Sequence, residues 1–346
     1  MHLLTLALVA LSLLAACGQP ESATPATAPI DRDQVVRIVN AIQLHAADTR
    51  EALRIEISAL EEATIGFLTQ PDKQTLLELQ ASWRTAHLGY ARAQFGFLAL
   101  DDNLRQLIYQ IDAWPIQPGF IDDLPLYPTS GIIHDETLLL NAEVLIGQHG
   151  ITDDEEVALG FHSLEYLIFA RPLSDFKIDS ESTSIQRRRE FLAIATRQLV
   201  IDSNSLFRAS ADQFEATSYP DALAILKQVL TGNLQKLRVA FRESNLVTAN
   251  DTGHSIYSST SLNTLSVEIE ALEQFMVNHV PMETILMAID ASAYSNFRAT
   301  LSELRQLMRN SGDDEVSRAN LPLFLSALIH ELEALDRMLV HQLPAS

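Results

Sequence analysis

The spacing of apolar residues constrains the fold of this chain more than any other feature of its sequence. Between Gln34 and Ala63, apolar side chains recur at three- and four-residue steps: Val35, Ile38, Val39, Ile42, Ala46, Leu53, Ile57 and Leu60. Residues with this spacing lie on one face of an α-helix, so the segment is predicted to form one long amphipathic helix. Alternating runs that would predict strands are hard to find, and only 12 glycines interrupt the helical pattern.

Further helices follow from the same pattern and from its breaks. Pro71-Asp72 interrupts the pattern before a second helix, which is predicted from about Lys73 to Leu100. Several prolines mark an irregular connection between Asp112 and Pro128, because proline cannot continue a helix. The other predicted helices run from about Asp135 to Ile146, Asp153 to Ala170, Ser184 to Thr217, Pro220 to Ser244, Leu262 to Asn278, Met282 to Met308 and Leu321 to Gln342.

The arrangement of these helices predicts the fold class. Long helices joined by irregular segments are typical of an all-α protein, here of two packed antiparallel helix bundles. Arg171-Pro172 ends a predicted helix, and the segment from there to Ser184 is the best candidate for a domain boundary. We therefore expect an N-terminal bundle at residues 32–175 and a C-terminal bundle at residues 176–346.

The first 17 residues have the features of a bacterial export signal. Leu3–Ala16 is almost wholly apolar but shorter than the ~20 residues of a transmembrane helix, so residues 1–16 are interpreted as a cleaved signal peptide. The segment Leu14–Cys17 resembles the bacterial lipoprotein processing box, and Cys17 is the only cysteine of the chain. We therefore expect lipid on Cys17 to hold the protein at a membrane.

The segment after this cysteine is expected to be a flexible tether. Residues 19–29 are rich in Pro, Ala, Ser and Thr and have too few apolar side chains to pack, so residues 17–31 are assigned to a lipidated tether. The predicted location is the bacterial cell envelope, lipid-anchored and facing the periplasm. Gly18 follows the cysteine in place of an aspartate, which favours the outer membrane.

The net charge limits the classes of partner. Lys and Arg number 24 against 45 Asp and Glu, which gives a formal charge of −21. Such a surface repels phosphate backbones, so no nucleic-acid partner is expected. It favours the binding of cations instead.

One pair of side chains points to cation chemistry. His162 and Glu165 are three residues apart in a predicted helix, so they share a face, with Cβ atoms about 5–6 Å apart. An imidazole and a carboxylate in this arrangement can ligate one cation. The alternative is structural, with the pair bracing neighbouring helices, because the same spacing recurs at His330 and Glu333 in an ordinary amphipathic helix.

The segment around this pair resembles a known family signature. Gly160-Phe161-His162-Ser163-Leu164-Glu165 and its apolar continuation are similar to the Gly-x-His-x-x-Glu signature of the imelysin family. Other segments resemble family elements in the same order: Trp83-Arg84, Ile111–Pro115 and Ser259–Ile269. The resemblance implies two helical bundles with the motif in a groove near their junction. It also implies a bacterial envelope protein associated with iron uptake or regulation, in a family classed as metallopeptidases.

These observations define a candidate site. The expected metal ligands are His162, Glu165 and Asp112, and the expected cation is divalent or ferric, either iron or zinc. Asp112 is favoured because the adjoining Trp114-Pro115 would fix its direction. Weaker candidates are His134, Glu136 and Glu143. The groove around the ligands is expected to include Gly160, Tyr166, Trp114, Trp83 and Ser261.

One segment departs from the family pattern. Iron-binding relatives carry acidic residues after the tryptophan of the early helix, whereas this chain has Arg92 and Gln94 there. Either the site is completed by residues elsewhere, or this chain does not hold the same ion.

Three functions remain open from the sequence. The first is a non-catalytic or weakly catalytic envelope protein that binds a cation or a small ligand. Its expected role is iron uptake or regulation, and its expected partner is an envelope or iron-uptake protein. The second is a metallopeptidase, although the chain has no His-Glu-x-x-His motif to supply a common zinc site and its general base. The third is an interaction module that recognises another envelope protein.

Overall fold

Helices form most of the chain that the computed structural model describes, which is residues 32–98, 100–178, 181–216, 218–250, 253–278, 282–310 and 315–342. Over these residues there is no strand, only an isolated bridge between Leu124 and Tyr127. None of the described helices is both long enough and apolar enough to cross a bilayer. The expected signal peptide, Cys17 and the tether lie outside the described residues.

The helices differ widely in length. Their bounds are α1 (Arg32–Thr69), α2 (Lys73–Ala93), α3 (Asp102–Asp112), α4 (Pro118–Ile121), α5 (Ala142–Gln148), α6 (Gly160–Glu165), α7 (Thr183–Ala209), α8 (Tyr219–Asn250), α9 (Ser261–Glu273), α10 (Glu283–Asn310) and α11 (Glu315–Gln342). A π-helical turn extends α6 over Tyr166–Ala170 and another extends α9 over Gln274–Asn278. Single 3₁₀ turns lie at Gln94–Gly96 and Leu173–Phe176.

The longest helix, α1, is shared between two hydrophobic cores. Its 38 residues span about 57 Å at 1.5 Å per residue. The second half of α1, from Leu53 to Phe67, packs with α2, α3, α6 and α7, and we call this group the first bundle. The first half, from Val35 to Ala46, packs with α8, α9, α10 and α11, which form the second bundle. The prediction of an all-α protein made of two packed helix bundles is therefore confirmed.

The division between the two cores does not coincide with the expected boundary at residue 175. Helix α7 follows that boundary, yet it buries Phe191, Leu192 and Leu199 in the core of the first bundle. The start of α1 lies before the boundary and packs into the second bundle. An amphipathic pattern shows that a helix buries one face, but it does not show which bundle covers that face.

Side-chain caps decide where two helices begin. The carboxylate of Asp72 accepts a hydrogen bond from the N–H of Thr75, and the Thr75 hydroxyl accepts one from the N–H of Asp72. This capping box starts α2 at Lys73, where the helix was expected to begin. The Asn141 side chain accepts from the N–H of Val144 and starts α5. This helix was expected from Asp135, and the segment before Asn141 forms turns instead.

The motif helix α6 also begins later than expected, at Gly160 and not at Asp153. Before it, the Nδ1 atom of His149 accepts hydrogen bonds from the N–H groups of Ala158 and Leu159, at 3.3 and 3.1 Å. A side-chain acceptor thus satisfies backbone donors that a helix from Asp153 would have directed to its own carbonyls. The helical spacing of this segment did not reveal that competition.

The two bundles meet at the end of α2. This helix was expected to reach Leu100 but ends at Ala93, after which the chain forms a 3₁₀ turn. Phe95 packs into the core of the second bundle and Phe97 into the core of the first. The helix therefore stops at the point where two neighbouring aromatic side chains enter different cores.

Candidate metal centre

Four side chains from four separate segments converge at the junction of the two bundles. His87 lies on α2, Asp112 is the last residue of α3, His162 lies on α6, and His254 lies in the turn before α9. One potential ligand atom from each of these residues lies within 4.8 Å of all the others. Three imidazoles and one carboxylate form a donor set that suits a transition-metal cation.

Gly160 brings two of these residues together. Its φ is +83°, a left-handed backbone conformation that residues other than glycine rarely adopt. A Cβ atom at this position would lie 2.5 Å from the carbonyl oxygens of both Gln110 and Ile111, in the last turn of α3. The absence of a side chain therefore lets α6 approach the end of α3, which places His162 next to Asp112.

The distances between the four residues are short. The Oδ1 atom of Asp112 lies 3.3 Å from Nε2 of His162 and 3.5 Å from Nε2 of His87, and its Oδ2 atom lies 3.7 Å from Nε2 of His254. The Nε2 atoms of His162 and His254 are 2.9 Å apart. The three rings thus direct their Nε2 atoms toward one carboxylate.

Glu165 lies behind His162 and is not one of the four converging residues. Its Oε2 atom is 2.9 Å from Nδ1 of His162, on the side of the ring away from Asp112. Its Oε1 atom accepts hydrogen bonds from the backbone N–H and the hydroxyl of Ser258, both at 2.8 Å. A carboxylate in this position orients the imidazole and leaves its Nε2 directed at the centre.

His87 is held by an aromatic neighbour. Its ring stacks on the indole of Trp83, with ring centroids 4.8 Å apart and planes at 17°. The Nε1–H of Trp83 donates to the carbonyl of Phe161 on α6 at 2.9 Å, so the tryptophan ties α2 to the motif helix. Trp83 therefore packs and orients His87 and does not line an open groove.

Several buried polar atoms of the centre have no hydrogen-bond partner among the described residues. They are both ring nitrogens of His87, the Oδ1 atom of Asp112 and the Nδ1 atom of His254. Burying a polar atom without a partner costs on the order of 1–3 kcal/mol, so such atoms need an explanation. A coordinated cation would satisfy the atoms that face the centre, and the residues present fit such an ion.

The pKa values of neighbouring groups in the centre are shifted in different directions. Burial opposes ionisation of Asp112, but the three neighbouring imidazoles lower the pKa of its carboxyl well below the usual value. Burial alone would lower the pKa of His162, yet Asp112 and Glu165 raise it to about 9. Burial and the charge of His162 lower the pKa of His254 well below normal. The imidazole whose pKa is raised, His162, thus lies in hydrogen-bond contact with the one whose pKa is lowered, His254.

Two cavities flank the centre, and both are lined in part by Trp114 and His254. The smaller cavity, of about 190 Å³, also contacts His162, Glu165 and Tyr257. The larger cavity, of about 320 Å³, is lined in addition by Tyr90, Gln94, Phe97, Ile108, Asp112, Gly232, Gln235, Lys236, Val239, Arg242 and Glu268. Small molecules in either cavity could therefore reach the centre.

The other residues expected in the groove have separate roles. Trp114 lines both cavities, whereas Gly160 is packed against α3. Tyr166 is buried and stacks edge-on against Tyr257, with centroids 5.3 Å apart. The hydroxyl of Ser261 accepts a hydrogen bond from the N–H of Ser255 and so holds the turn that carries His254.

The weaker ligand candidates lie elsewhere. His134 contacts the carboxylates of Asp122 and Asp123, at 3.1 and 3.3 Å, and these three form a second acidic and histidine cluster. Arg188 and Arg171 pair with the same carboxylates, so their negative charge is already balanced. Glu136 and Glu143 are exposed and belong to neither cluster.

Sequence reasoning missed His87 and His254. His87 follows Trp83 by four residues and precedes Tyr90 by three, so its place on the buried face of α2 was a usable signal. His254 lies in a polar stretch between helices and carried no such signal. Arg92, at a position where the family was expected to carry an acid, is exposed and pairs with Glu56.

Comparisons with known proteins agree with the fold. A family model described as Imelysin matches residues 46–335. A proposed iron-regulated protein A precursor from Parabacteroides distasonis ATCC 8503 is 16% identical, with a TM-score of 0.66 over 90% of this chain and 97% of that one. An imelysin-like protein from Psychrobacter arcticum 273-4 is 12% identical, with a TM-score of 0.65 over 88% and 95%. No curated protein gives a significant sequence match.

Proposed function

This chain belongs to the imelysin family, and we propose that it binds one transition-metal cation at the bundle junction as part of iron uptake or its regulation. The ligands in this proposal are His87, Asp112, His162 and His254. The observation that carries it is the convergence of these four donors within 4.8 Å, with buried atoms that have no other partner.

The chemistry of the donors narrows the choice of cation. Imidazole nitrogens and a carboxylate oxygen suit Zn²⁺ and Fe²⁺, whereas soft ions such as Cu⁺ prefer sulfur ligands. Iron is favoured as the physiological cargo because a protein of the same fold is described as iron-regulated. Binding would displace the Nε2 proton of His162, because a metal ligand must offer a free lone pair.

Metal content tests this proposal directly. The protein is purified without chelator, loaded with Zn²⁺ or anaerobically with Fe²⁺, desalted and analysed for bound metal. We expect one equivalent in the wild type and almost none in the double variant His87→Gln/His162→Gln, which retains polar side chains of similar size. His330→Ala is the matched control. His330 is exposed on α11 and, like His162, precedes a glutamate by three residues. Equal metal in the wild type and the double variant would refute the proposal.

In the Glu165→Gln variant, we expect Zn²⁺ to bind about 10- to 100-fold more weakly, still with one equivalent per chain. This is the usual effect of losing a carboxylate that orients a ligating imidazole. Glu165 holds the Nδ1 atom of His162 and is itself held by Ser258. The affinity is measured by competition with a coloured chelator. Glu333→Gln, at the matching position in α11, is the control and should not change it. An unchanged Zn²⁺ affinity in Glu165→Gln would contradict the orienting role and leave Glu165 with only a structural one.

A metallopeptidase has less support. Zinc peptidases need an open coordination position and a general base close to it. Glu165 is the acid nearest to the motif histidine, but both of its oxygens are engaged, by His162 and by Ser258. Cleavage of unfolded casein by the wild type that disappears in His87→Gln/His162→Gln would favour the peptidase over a binding protein.

We also propose that the protein acts in the bacterial envelope, anchored through lipid on Cys17. The support is the sequence of residues 1–31, in which an apolar segment ends at the only cysteine of the chain. There the protein would deliver or sense metal together with an envelope partner. Cys17→Ser should release it from the membrane fraction, and unchanged membrane association of that variant would contradict lipid anchoring.

A further inference from the structure

Two cationic side chains and two carboxylates, Asp112 and Glu268, line the larger cavity beside the metal centre. Lys236 and Arg242, both on α8, contribute to its wall, whereas the whole chain has a formal charge of −21. Asp112 and His254 line the same cavity. A molecule bound there would therefore lie beside both the metal centre and two cationic side chains.

Lys236 is oriented by backbone carbonyls. Its ammonium group donates to the carbonyl of Phe97 at 2.9 Å and to that of Gln94, at the end of α2. Among the described residues no carboxylate lies within ion-pair distance of it. Burial lowers its pKa to about 7, although the charge of Glu268 acts in the opposite direction. A buried ammonium with no carboxylate partner favours the binding of an anion.

Two further groups fit an anionic ligand. Arg242 is exposed and makes no ion pair with a described side chain, so its guanidinium is available at the cavity. Tyr90 is only 3% exposed, and its hydroxyl makes no hydrogen bond with any described residue although the side chain lines the cavity. Because this hydroxyl has no protein partner among the described residues, it can donate a hydrogen bond to an oxygen atom of a bound ligand.

The remaining wall favours an organic ligand over an inorganic ion. Phe97, Ile108 and Val239 give the cavity apolar surface. Its volume of about 320 Å³ is at the lower end of the range for small-molecule sites. A small molecule with a carboxylate at one end and a short apolar body would match both parts of this wall.

We infer that the larger cavity binds a small organic carboxylate together with the cation, with Lys236, Arg242 and Tyr90 facing the ligand. This inference rests on the proposed function, because a bound dication more than offsets the charge of Asp112. The wall is then net positive even with Glu268 ionised. The cation and the carboxylate would thus each strengthen the binding of the other.

Calorimetric titration of Zn²⁺-loaded protein with acetate, butyrate and inorganic phosphate tests the inference. Butyrate should bind roughly tenfold more tightly than acetate, because two more methylene groups leave water. Butyrate should also bind the metal-free protein more weakly. Phosphate binding that exceeds butyrate binding, or equal affinities for acetate and butyrate, would overturn the organic carboxylate as the ligand class.

Variants locate the site. Lys236→Met should weaken butyrate at least about tenfold, as expected for losing a charge-assisted hydrogen bond. Arg242→Gln should weaken it about threefold, and because Arg242 is exposed this variant remains informative if Lys236→Met does not fold. Lys227→Met, an exposed lysine on the same helix, is the control. Unchanged butyrate affinity in Arg242→Gln and in folded Lys236→Met would overturn the inference.

The two proposals fail in different ways. If the wild type takes up no Zn²⁺, the proposed function is wrong. The inference about the larger cavity is then also wrong, and no titration with carboxylate is needed to show it. If Zn²⁺ binds with one equivalent but butyrate produces no saturable heat, only the inference about the larger cavity is wrong.

Discussion

The Gly160→Ala variant should lose at least about 3 kcal/mol of unfolding free energy, and the folded fraction should bind Zn²⁺ more weakly than the wild type. Two effects combine at this position. A left-handed backbone disfavours any Cβ atom, and here that atom would also lie 2.5 Å from the carbonyl oxygens of Gln110 and Ile111. Because the clash is with backbone, α6 must move away from α3, which separates His162 from Asp112.

Urea unfolding followed by circular dichroism measures the loss, and a chelator titration measures the affinity. Gly66→Ala is the matched control, because Gly66 lies in α1 and a methyl group added there would meet nothing within 4 Å. It should be neutral or stabilise the protein by up to about 1 kcal/mol, since alanine is the better helix former. Similar unfolding midpoints for Gly160→Ala and Gly66→Ala would contradict the proposed role of Gly160.

The Asp122→Ala variant should lose about 3–5 kcal/mol of unfolding free energy, because it leaves the buried guanidinium of Arg188 without its main partner. The Asp122 side chain is fully buried and accepts hydrogen bonds from Nε and Nη2 of Arg188, at 2.5 and 2.8 Å. Arg171 and His134 contact the same carboxylate, so it connects α7 to the irregular segment after α4. Denaturant unfolding at pH 7 measures the loss.

An exposed ion pair provides the control for Asp122. Asp102→Ala removes the partner of Arg105 on the surface of α3, where the loss should stay below about 1 kcal/mol. The pH dependence gives a second test. Burial opposes ionisation of Asp122, but Arg188 lowers its pKa to about 2. The stabilisation is therefore present above the unfolded-state pKa near 4 and is lost as the pH falls from about 4 to 2. The difference between wild type and Asp122→Ala should shrink over that range, and a constant difference would refute this assignment.

The charges at the centre suggest how metal uptake and protonation are linked. Without a cation, the protonated His162 lies between Asp112 and Glu165 and balances part of their negative charge. A dication at the same place would take over that role and release the proton. In either form the Nδ1 atom of His162 would keep its contact with Glu165, so the same carboxylate would orient the ring.

Local sequence patterns were enough for the fold class and for part of the site. The three- and four-residue spacing of apolar side chains predicted the all-α architecture because each helix must bury one face. His162 and Asp112 were identified as ligand candidates, and the structure brings them together. Glu165 was expected beside them as a ligand, yet it contacts the opposite nitrogen of the His162 ring.

Only the tertiary structure decided the rest of the centre. His87 and His254 are far apart in the chain and come together because α2 packs beside α9, a contact between the two bundles that no local pattern encodes. The placement of α7 in the first bundle is likewise decided by packing between distant parts of the chain. The periodicity of a helix depends only on residues three and four positions apart, so the sequence alone determines it. The partner of each buried face depends on how all the helices pack, because apolar burial is non-directional and does not by itself select a partner.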